Sequence, residues 1–374
     1  MSKLLMLKPE LYRFGSCAEF AAEFKLCERD LVLTNEFIYG PYFGAMGLKV
    51  HTIFQERFGQ GEPTDVMVDA ILDEAARTCY TRVVAIGGGT VIDIAKVLAV
   101  AGERRVDELY AAAPALTKAC ELVIVPTTCG TGSEVTNISI LNRTRLGTKL
   151  GLVSDQMFAD SAVLIPEILE TLPFSVFATS SIDALVHAVE STLSPKATPY
   201  TKLFGYQAIQ ILVQGYQKIA AEGREARIPL LEDFLIASNY AGIAFNTAGC
   251  AAVHAMSYPL SGKYHVAHGE SNYAIFTGVL ENYVLLKQDG EISILNNLLS
   301  GLLSCPVAEV YEKLEELLHQ ILPKKTLFEY GVLPDDLEEF TEAVMTTQGR
   351  LMSNNFVPLD RTRVLKIYQG LYRK

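Results

Sequence analysis

The chain is poor in histidine, has no paired cysteines and lacks any long apolar run, and each shortage removes a class of protein. The seven cysteines, at 17, 27, 79, 120, 129, 250 and 305, are odd in number and none sits in a Cys-x-x-Cys pair. Neither a thiolate zinc site nor a disulfide framework is expected from that spacing. Reduced, scattered thiols fit a cytoplasmic protein. No stretch reaches the roughly 18 apolar residues of a membrane span. The first ten residues carry Lys3 and Lys8 but no apolar stretch and no small-residue cleavage site, so no signal peptide is expected. A net charge of −11 argues against nucleic acid or an anionic membrane as partner. It leaves small anionic ligands open, because they feel only the local field.

What is present, with 49% hydrophobic residues, suits a large core. The length of 374 residues suggests about two domains at roughly 150 residues each. Over the first 165 or so residues, short apolar runs alternate with helical patterns. Asp30–Thr34, Arg82–Gly87 and Glu121–Pro126 read as buried strands, and residues 64–79 as a helix with Val66, Ala70, Ile71 and Ala75 on one face. Such alternation predicts a doubly wound parallel sheet. Residues 136–141 and 149–153 predict a hairpin around a loop at 142–147. Beyond Pro173 long helical patterns take over, at 174–193, 200–222, 228–246, 307–322 and 335–354. The expected division is an α/β domain over 1–170 and an all-helical domain over 171–374.

Two loops carry phosphate-binding character. The strand at 82–87 runs into Gly88-Gly89-Thr90 and then a helix beginning Val91-Ile92-Asp93. Glycines let backbone approach a pyrophosphate, and a helix N-terminus offers free N–H groups to it. The pattern is not the Gly-x-Gly-x-x-Gly fingerprint, and glycine-rich turns also occur without ligands. The second loop, Pro126-Thr127-Thr128-Cys129-Gly130-Thr131-Gly132-Ser133, follows another apolar strand; it also reads as a threonine-rich cap. Two such loops after neighbouring strands point to a dinucleotide. A 2′-phosphate usually meets Arg or Lys and a plain ribose a carboxylate or amide. No Lys or Arg occurs between Leu31 and Leu48, and Asn35 and Glu62 are candidates for the ribose. NAD is therefore expected over NADP.

Histidine is scarce enough to be informative: six in the chain. Asp183 and His187 lie four apart in a helical pattern, hence on one face. Alone, the pair reads equally as a structural ion pair. His254 follows a run of small residues that permits close packing, and His268 precedes Gly269. Four such groups in one helical region beside a dinucleotide half favour a divalent-metal site. Imidazoles and one carboxylate suit Fe²⁺, Zn²⁺, Mn²⁺ or Co²⁺.

In this order, Gly-Gly-Gly-Thr-x-x-Asp-x-x-Lys (87–96), Pro-Thr-Thr-x-Gly-Thr-Gly-Ser-Glu (126–134), Asp-Ala-x-x-His (183–187) and His-x(13)-His-Gly (254–269) resemble the iron-containing (group III) alcohol dehydrogenases over nearly the whole chain. The resemblance implies the dehydroquinate synthase-like architecture, with Asp183, His187, His254 and His268 as ligands of one iron or zinc ion. It implies cofactor phosphates over Gly88, Gly89, Thr90 and Asp93, with Thr127, Thr128, Thr131 and Lys149 along the rest of NAD, and at least a homodimer. Many members carry a further histidine four residues after the third ligand; here that position is Tyr258. Its phenol, or the imidazole of His265, is a candidate for the missing proton relay. Within the family, Leu33–Phe37, Gly61–Pro63, Ser238–Phe245 and His254–Pro259 resemble the NAD-dependent 4-hydroxybutyrate dehydrogenases, which implies interconversion of 4-hydroxybutyrate and succinate semialdehyde. A hydroxy acid needs a cation for its carboxylate; Lys263 is the candidate, with a solvated surface lysine as the alternative reading. A lyase of the dehydroquinate synthase type would need several basic residues near the ligands, and 247–268 offers only Lys263. A non-catalytic NAD-binding regulator is the third class.

Overall fold

The computed structural model describes residues 3–373 and divides them into two compact units. The first is Leu7–Leu172. Its sheet has eight strands' worth of chain in two pieces: β1 (Glu10–Arg13), β2 (Asp30–Thr34), β3 (His51–Phe54), β4 (Arg82–Gly87), β5 (Glu121–Pro126) and β8 (Ser161–Leu164) form one sheet, and β6 (Ile138–Arg143) with β7 (Thr148–Val153) forms a separate antiparallel hairpin. The six-stranded sheet runs β1-β8-β5-β4-β2-β3, with every neighbour parallel. Its helices are α1 (Cys17–Glu23), α2 (Glu36–Phe43), α3 (Asp65–Ala75), α4 (Gly89–Ala101) and α5 (Val106–Ala112).

The central strands are buried along their length, as parallel strands covered on both faces must be. The edge strands are not: β1 is exposed throughout and β3 buries only Ile53 fully. Leu31, Leu33, Val83, Ala85, Leu122 and Ile124 pack with α3, α4 and α5 in one apolar core. The chain leaves β2 for β3 on one side and then returns to place β4 on the other. This reversal makes the carboxyl ends of β2 and β4 the switch point where ligands of open α/β sheets bind.

A buried polar knot ties α4 to the hairpin. Lys96 is fully buried and its ammonium donates to Ser133 Oγ (2.7 Å), Thr136 Oγ1 (2.8 Å) and the Ile138 carbonyl (2.8 Å). Asp93 accepts from Ser133 Oγ at 2.9 Å and from the Ile140 N–H at 2.9 Å. Burial lowers the Lys96 pKa to about 8 against the opposing pull of Asp93 and Glu134.

The second unit comprises residues 173–373 together with residues 3–6. The expectation had grouped those first residues with the α/β half. Instead Leu4 C=O accepts from Thr198 Oγ1 (2.7 Å), so hydrogen bonding to helical partners draws this segment to the helical unit. The helices are α6 (Phe174–Leu193), α7 (Pro199–Glu222), α8 (Leu231–Ala248), α9 (Ala252–Tyr264), α10 (His268–Leu286), α11 (Glu291–Leu303), α12 (Val310–Ile321), α13 (Asp336–Thr347), α14 (Gly349–Met352) and α15 (Arg361–Tyr372). The helix expected over 228–246 begins as a 3-10 turn at Arg224–Leu230, because Pro229 cannot donate inside an α-helix. The pattern at 335–354 is broken near Gln348 into α13 and α14.

From Ser181 to Leu193 every residue of α6 is buried. A helix enclosed all round must match each polar side chain it carries. Gly205 of α7 allows this enclosure, since a Cβ there would lie 2.2 Å from Thr192 Oγ1. Among the described residues no single helix is long and apolar enough to cross a membrane.

Candidate active site: a histidine-carboxylate centre and a phosphate cradle

The helical unit gathers the scarce histidines. Helix α6 presents Asp183, His187 and Glu190 on one face, α9 contributes His254 and α10 begins with His268, with Asn272 one turn later. Asp183, His187 and His254 are buried, while His268 is one-third exposed. The approach of α10 to α6 explains Gly269: a Cβ there would stand 2.1 Å from the Thr179 carbonyl oxygen. The glycine serves the close packing of α10 on α6.

The donor atoms converge. His187 Nε2 and His254 Nε2 are 3.0 Å apart. Asp183 Oδ1 lies 3.8 Å from His254 Nε2 and 3.8 Å from His268 Nε2. Donors each about 2.1 Å from one ion stand roughly 3.0 to 3.5 Å from one another, so the spacing fits a shared divalent cation. Two overlapping groups of ligand-type atoms are present: Asp183, His254 and His268, and His187, Cys250 and His254. His254 belongs to both.

Glu190 decides which nitrogen of His254 faces the cluster. It is buried, and its carboxylate accepts from Ala251 N–H (2.9 Å), Val253 N–H (2.6 Å) and His254 Nδ1 (2.6 Å). A carboxylate only accepts, so Nδ1 carries the proton and the Nε2 lone pair points at Asp183, His187 and His268. His187 is stacked on Phe245, with ring centroids 4.4 Å apart, which fixes its plane. The Asn272 amide Nδ2 donates to Asp183 Oδ1 at 2.7 Å and lies 3.1 Å and 3.3 Å from the Nε2 atoms of His254 and His268. Its Oδ1 is buried without a partner. One amide N–H₂ thus stands among three converging acceptors while its own oxygen is orphaned. That imbalance is what a cation at the acceptors would relieve, and the residues fit a divalent metal.

Electrostatics agree. Burial opposes ionisation of Asp183, but the imidazoles of His187, His268 and His254 outweigh it and hold the carboxyl below its usual range. Burial would lower the His254 pKa, yet the hydrogen bond and charge of Glu190 raise it. Burial pushes the Cys250 thiol well up, helped by Glu190 and Asp183.

The three candidates for substrate clamp and proton relay sit in different surroundings. Lys263 donates to Asp336 Oδ1 (2.8 Å) and Glu339 Oε2 (2.6 Å), so two carboxylates already match its charge and it is no substrate clamp. His265 is exposed and caps α9 in the left-handed conformation, at φ +54°. Tyr258 is the one beside the cluster, its ring centroid 6.2 Å from that of His268.

In the α/β unit, the glycine turn and the threonine loop meet at the carboxyl ends of β4 and β5. A Cβ on Gly88 would touch Thr128 Cγ2 at 3.6 Å, and one on Gly89 would crowd Thr131 Cγ2 at 3.1 Å. Thr127 N–H donates to the Gly87 carbonyl at 3.1 Å. Helix α4 starts at Gly89, so its first-turn N–H groups open at this point, where a pyrophosphate would be held. Thr90 Oγ1 donates to the Gly61 carbonyl at 3.0 Å. The Asp93 carboxylate is spent on the internal knot, which corrects its expected place against the phosphates. Lys149 and Glu62 form an ion pair at 2.6 Å. Asn35 Nδ2 donates to Glu56 Oε2 at 2.8 Å, and Glu56, missed in the sequence, lies two residues past the end of β3.

Family comparison agrees with both halves. Residues 9–166 match the model for iron-containing alcohol dehydrogenase, and residues 177–372 match the Fe-containing alcohol dehydrogenase family, C-terminal. The chain belongs to the iron-containing alcohol dehydrogenase family and is an oxidoreductase. It is 44% identical to the 4-hydroxybutyrate dehydrogenase of Clostridium kluyveri, over 99% of this chain and 100% of that one. It is 33% identical to long-chain-alcohol dehydrogenase 1 of Geobacillus thermodenitrificans, over 98% and 92%. The fold is also that of the sulfoacetaldehyde reductase of Bifidobacterium kashiwanohense in complex with NAD+, at a TM-score of 0.86, 22% identity and 100% and 99% coverage.

Proposed function

We propose that this enzyme interconverts 4-hydroxybutyrate and succinate semialdehyde with NAD, using one iron ion held by Asp183, His187, His254 and His268. The observation that carries the reaction type is the convergence of these four side chains around the His254 lone pair that Glu190 directs. Similarity to the Clostridium kluyveri enzyme along the whole chain supports the substrate. When bound, the metal supplies Lewis acidity to the alcohol or carbonyl oxygen, and NAD accepts or returns the hydride.

The chain's own residues bind, orient and move protons. Glu190 and Phe245 hold the imidazoles of His254 and His187 in one orientation. The phenol of Tyr258, beside His268, relays the proton that the alcohol loses, accepting it at oxygen as its own O–H proton passes on to water. Gly88, Gly89, Thr90, Thr127, Thr128 and Thr131 cradle the dinucleotide, and Lys149 is steadied by Glu62. Asn35 and Glu56 place an amide and a carboxylate where a ribose hydroxyl is accepted and a 2′-phosphate is repelled. The protein acts as a homodimer or larger homo-oligomer in the cytoplasm.

A panel of ω-hydroxy acids, diols and simple alcohols tests the reading. The expected result is a kcat/KM for the four-carbon hydroxy acid at least about tenfold above the rest, with NAD well above NADP, which corresponds to roughly 1.4 kcal/mol of transition-state discrimination. Equal turnover of 1-butanol and the hydroxy acid would remove the substrate assignment. Bound iron should be lost in His268→Ala; an unchanged metal content would take His268 out of the ligand set.

A further inference from the structure

Cysteine 250 has no part in the reaction just described, yet it stands within ligand distance of it. Its Sγ and one ring nitrogen each of His187 and His254 all lie within 4.8 Å of one another. The residue is partly buried and follows Gly249, the left-handed terminus of α8 at φ +79°. Its backbone is clamped on both sides. The Cys250 carbonyl accepts from Asn354 Nδ2 at 2.8 Å, and the next N–H, that of Ala251, donates to Glu190. A Cβ on Gly249 would collide with Asn354 Nδ2 at 2.4 Å, so this turn admits little rearrangement. The backbone that carries the thiol is therefore held in place before any ligand arrives.

Because Glu190 occupies His254 Nδ1, the His254 atom common to both groups is Nε2. Two donor sets thus share one lone pair, and a single ion can use one set or the other. The sets differ in chemistry. Asp183, His254 and His268 offer a carboxylate and imidazoles, which suit Fe²⁺ or Mn²⁺. His187, Cys250 and His254 offer a thiolate and imidazoles, which select softer ions.

Resting on the reading of this cluster as a metal centre, we propose that Cys250 gives it a second, thiophilic position, in which His187, Cys250 and His254 hold a zinc- or cadmium-class cation in place of the ion held through Asp183 and His268. The thiol proton passes to water as the sulfur–metal bond forms, so no redox change is involved. An ion in this position leaves Asp183 and His268 and does not support turnover.

The test uses the full-length protein exchanged with Cd²⁺ or with Mn²⁺. With Cd²⁺, one thiolate-to-cadmium charge-transfer absorption per chain is expected. Cys250 should then be shielded from alkylation, as read by peptide mass mapping. Mn²⁺ should bind one per chain and leave Cys250 open to the reagent. In Cys250→Ser the absorption should vanish and Cd²⁺ should bind about tenfold more weakly, while Mn²⁺ affinity stays within roughly threefold. Cadmium binding without the absorption or the shielding overturns the proposal, and the shielding arm needs no variant to fold. An equal loss of Mn²⁺ and Cd²⁺ affinity in Cys250→Ser also overturns it, because the cysteine would then be structural. If Mn²⁺ fails to bind and Asp183→Asn changes nothing, the metal centre itself falls, a result separate from the failure of the thiophilic position alone.

Discussion

Glu190 shows how one buried carboxylate sets the chemistry of a neighbour it does not share a helix with. Three donors converge on it, and the one from His254 determines which imidazole nitrogen is left with a lone pair. Glutamine keeps the size but must turn an N–H₂ toward one of those donors. Glu190→Gln is expected to weaken metal binding about 10- to 100-fold, read by competition with a chromophoric chelator. The unfolding free energy should also fall by about 1–3 kcal/mol, since a buried donor loses its acceptor. Unchanged metal affinity would mean that the His254 tautomer is fixed by something else. Tyr258 gives a complementary result. If Tyr258 is the proposed relay, Tyr258→Phe should retain bound metal and lower kcat, with KM little changed, because the relay role needs the phenol oxygen and the ligand set does not; a full kcat would end its role as relay. At Gly269 the argument is steric. Backbone of α6 stands where a Cβ would go, so Gly269→Ala should cost about 3 kcal/mol in urea unfolding, at the upper end of overpacking effects.

At the level of elements, α4 serves both ligand binding and the internal order of the α/β unit. Its N-terminus opens at the glycine turn, and one turn further on it anchors the β6–β7 hairpin through Asp93 and Lys96. The lysine's charge is held in a buried place at a cost. Its folded pKa, about 8, lies below the ordinary value of 10.5 that the unfolded chain has. Between those values the unfolded chain binds more protons, so this group's contribution to stability rises with pH through that window. Comparing wild type with Lys96→Met isolates the effect, because all other titrations cancel. The difference in unfolding free energy should move in favour of the wild type by on the order of 3 kcal/mol between about pH 7 and pH 10.5. A difference that stays flat across this range would show that the ammonium is not desolvated.

For the whole molecule, metal and stability are linked. The converging acceptors of the helical unit repel one another, and the Asn272 amide stands among three of them. An ion that binds the native site and not the unfolded chain stabilises by about 2.7 kcal/mol at a free concentration near 100 times its dissociation constant. Removing iron with a chelator should lower the thermal midpoint, and adding it back should restore it. The same treatment should leave Asp183→Ala unmoved. An identical response in both proteins would separate the metal from this site.

Much of this was legible in the chain itself, for definite reasons. Central strands β2, β4 and β5 are covered on both faces, so each reads as an unbroken apolar run. The order of Gly87–Lys96, Pro126–Glu134, Asp183–His187 and His254–Gly269 pointed to the family, because short-range spacing fixes which groups share a turn or a helix face. Edge strands β1 and β3 lack that signature, since one or both of their faces meet solvent, and they were not legible. Helices α9 and α10 carry so many small and polar residues that their periodicity is faint. Spacing also could not say which groups are already spent. Only the tertiary structure revealed that Asp93 bonds to the hairpin, that Lys149 pairs with Glu62 and that Lys263 is held by Asp336 and Glu339. It alone brought Glu190, Asn272 and Cys250 to the histidines, for hydrogen bonding and ligation act through space between helices. The sequence determined the family and the candidate ligands; packing decided which lone pairs converge at the candidate metal centre.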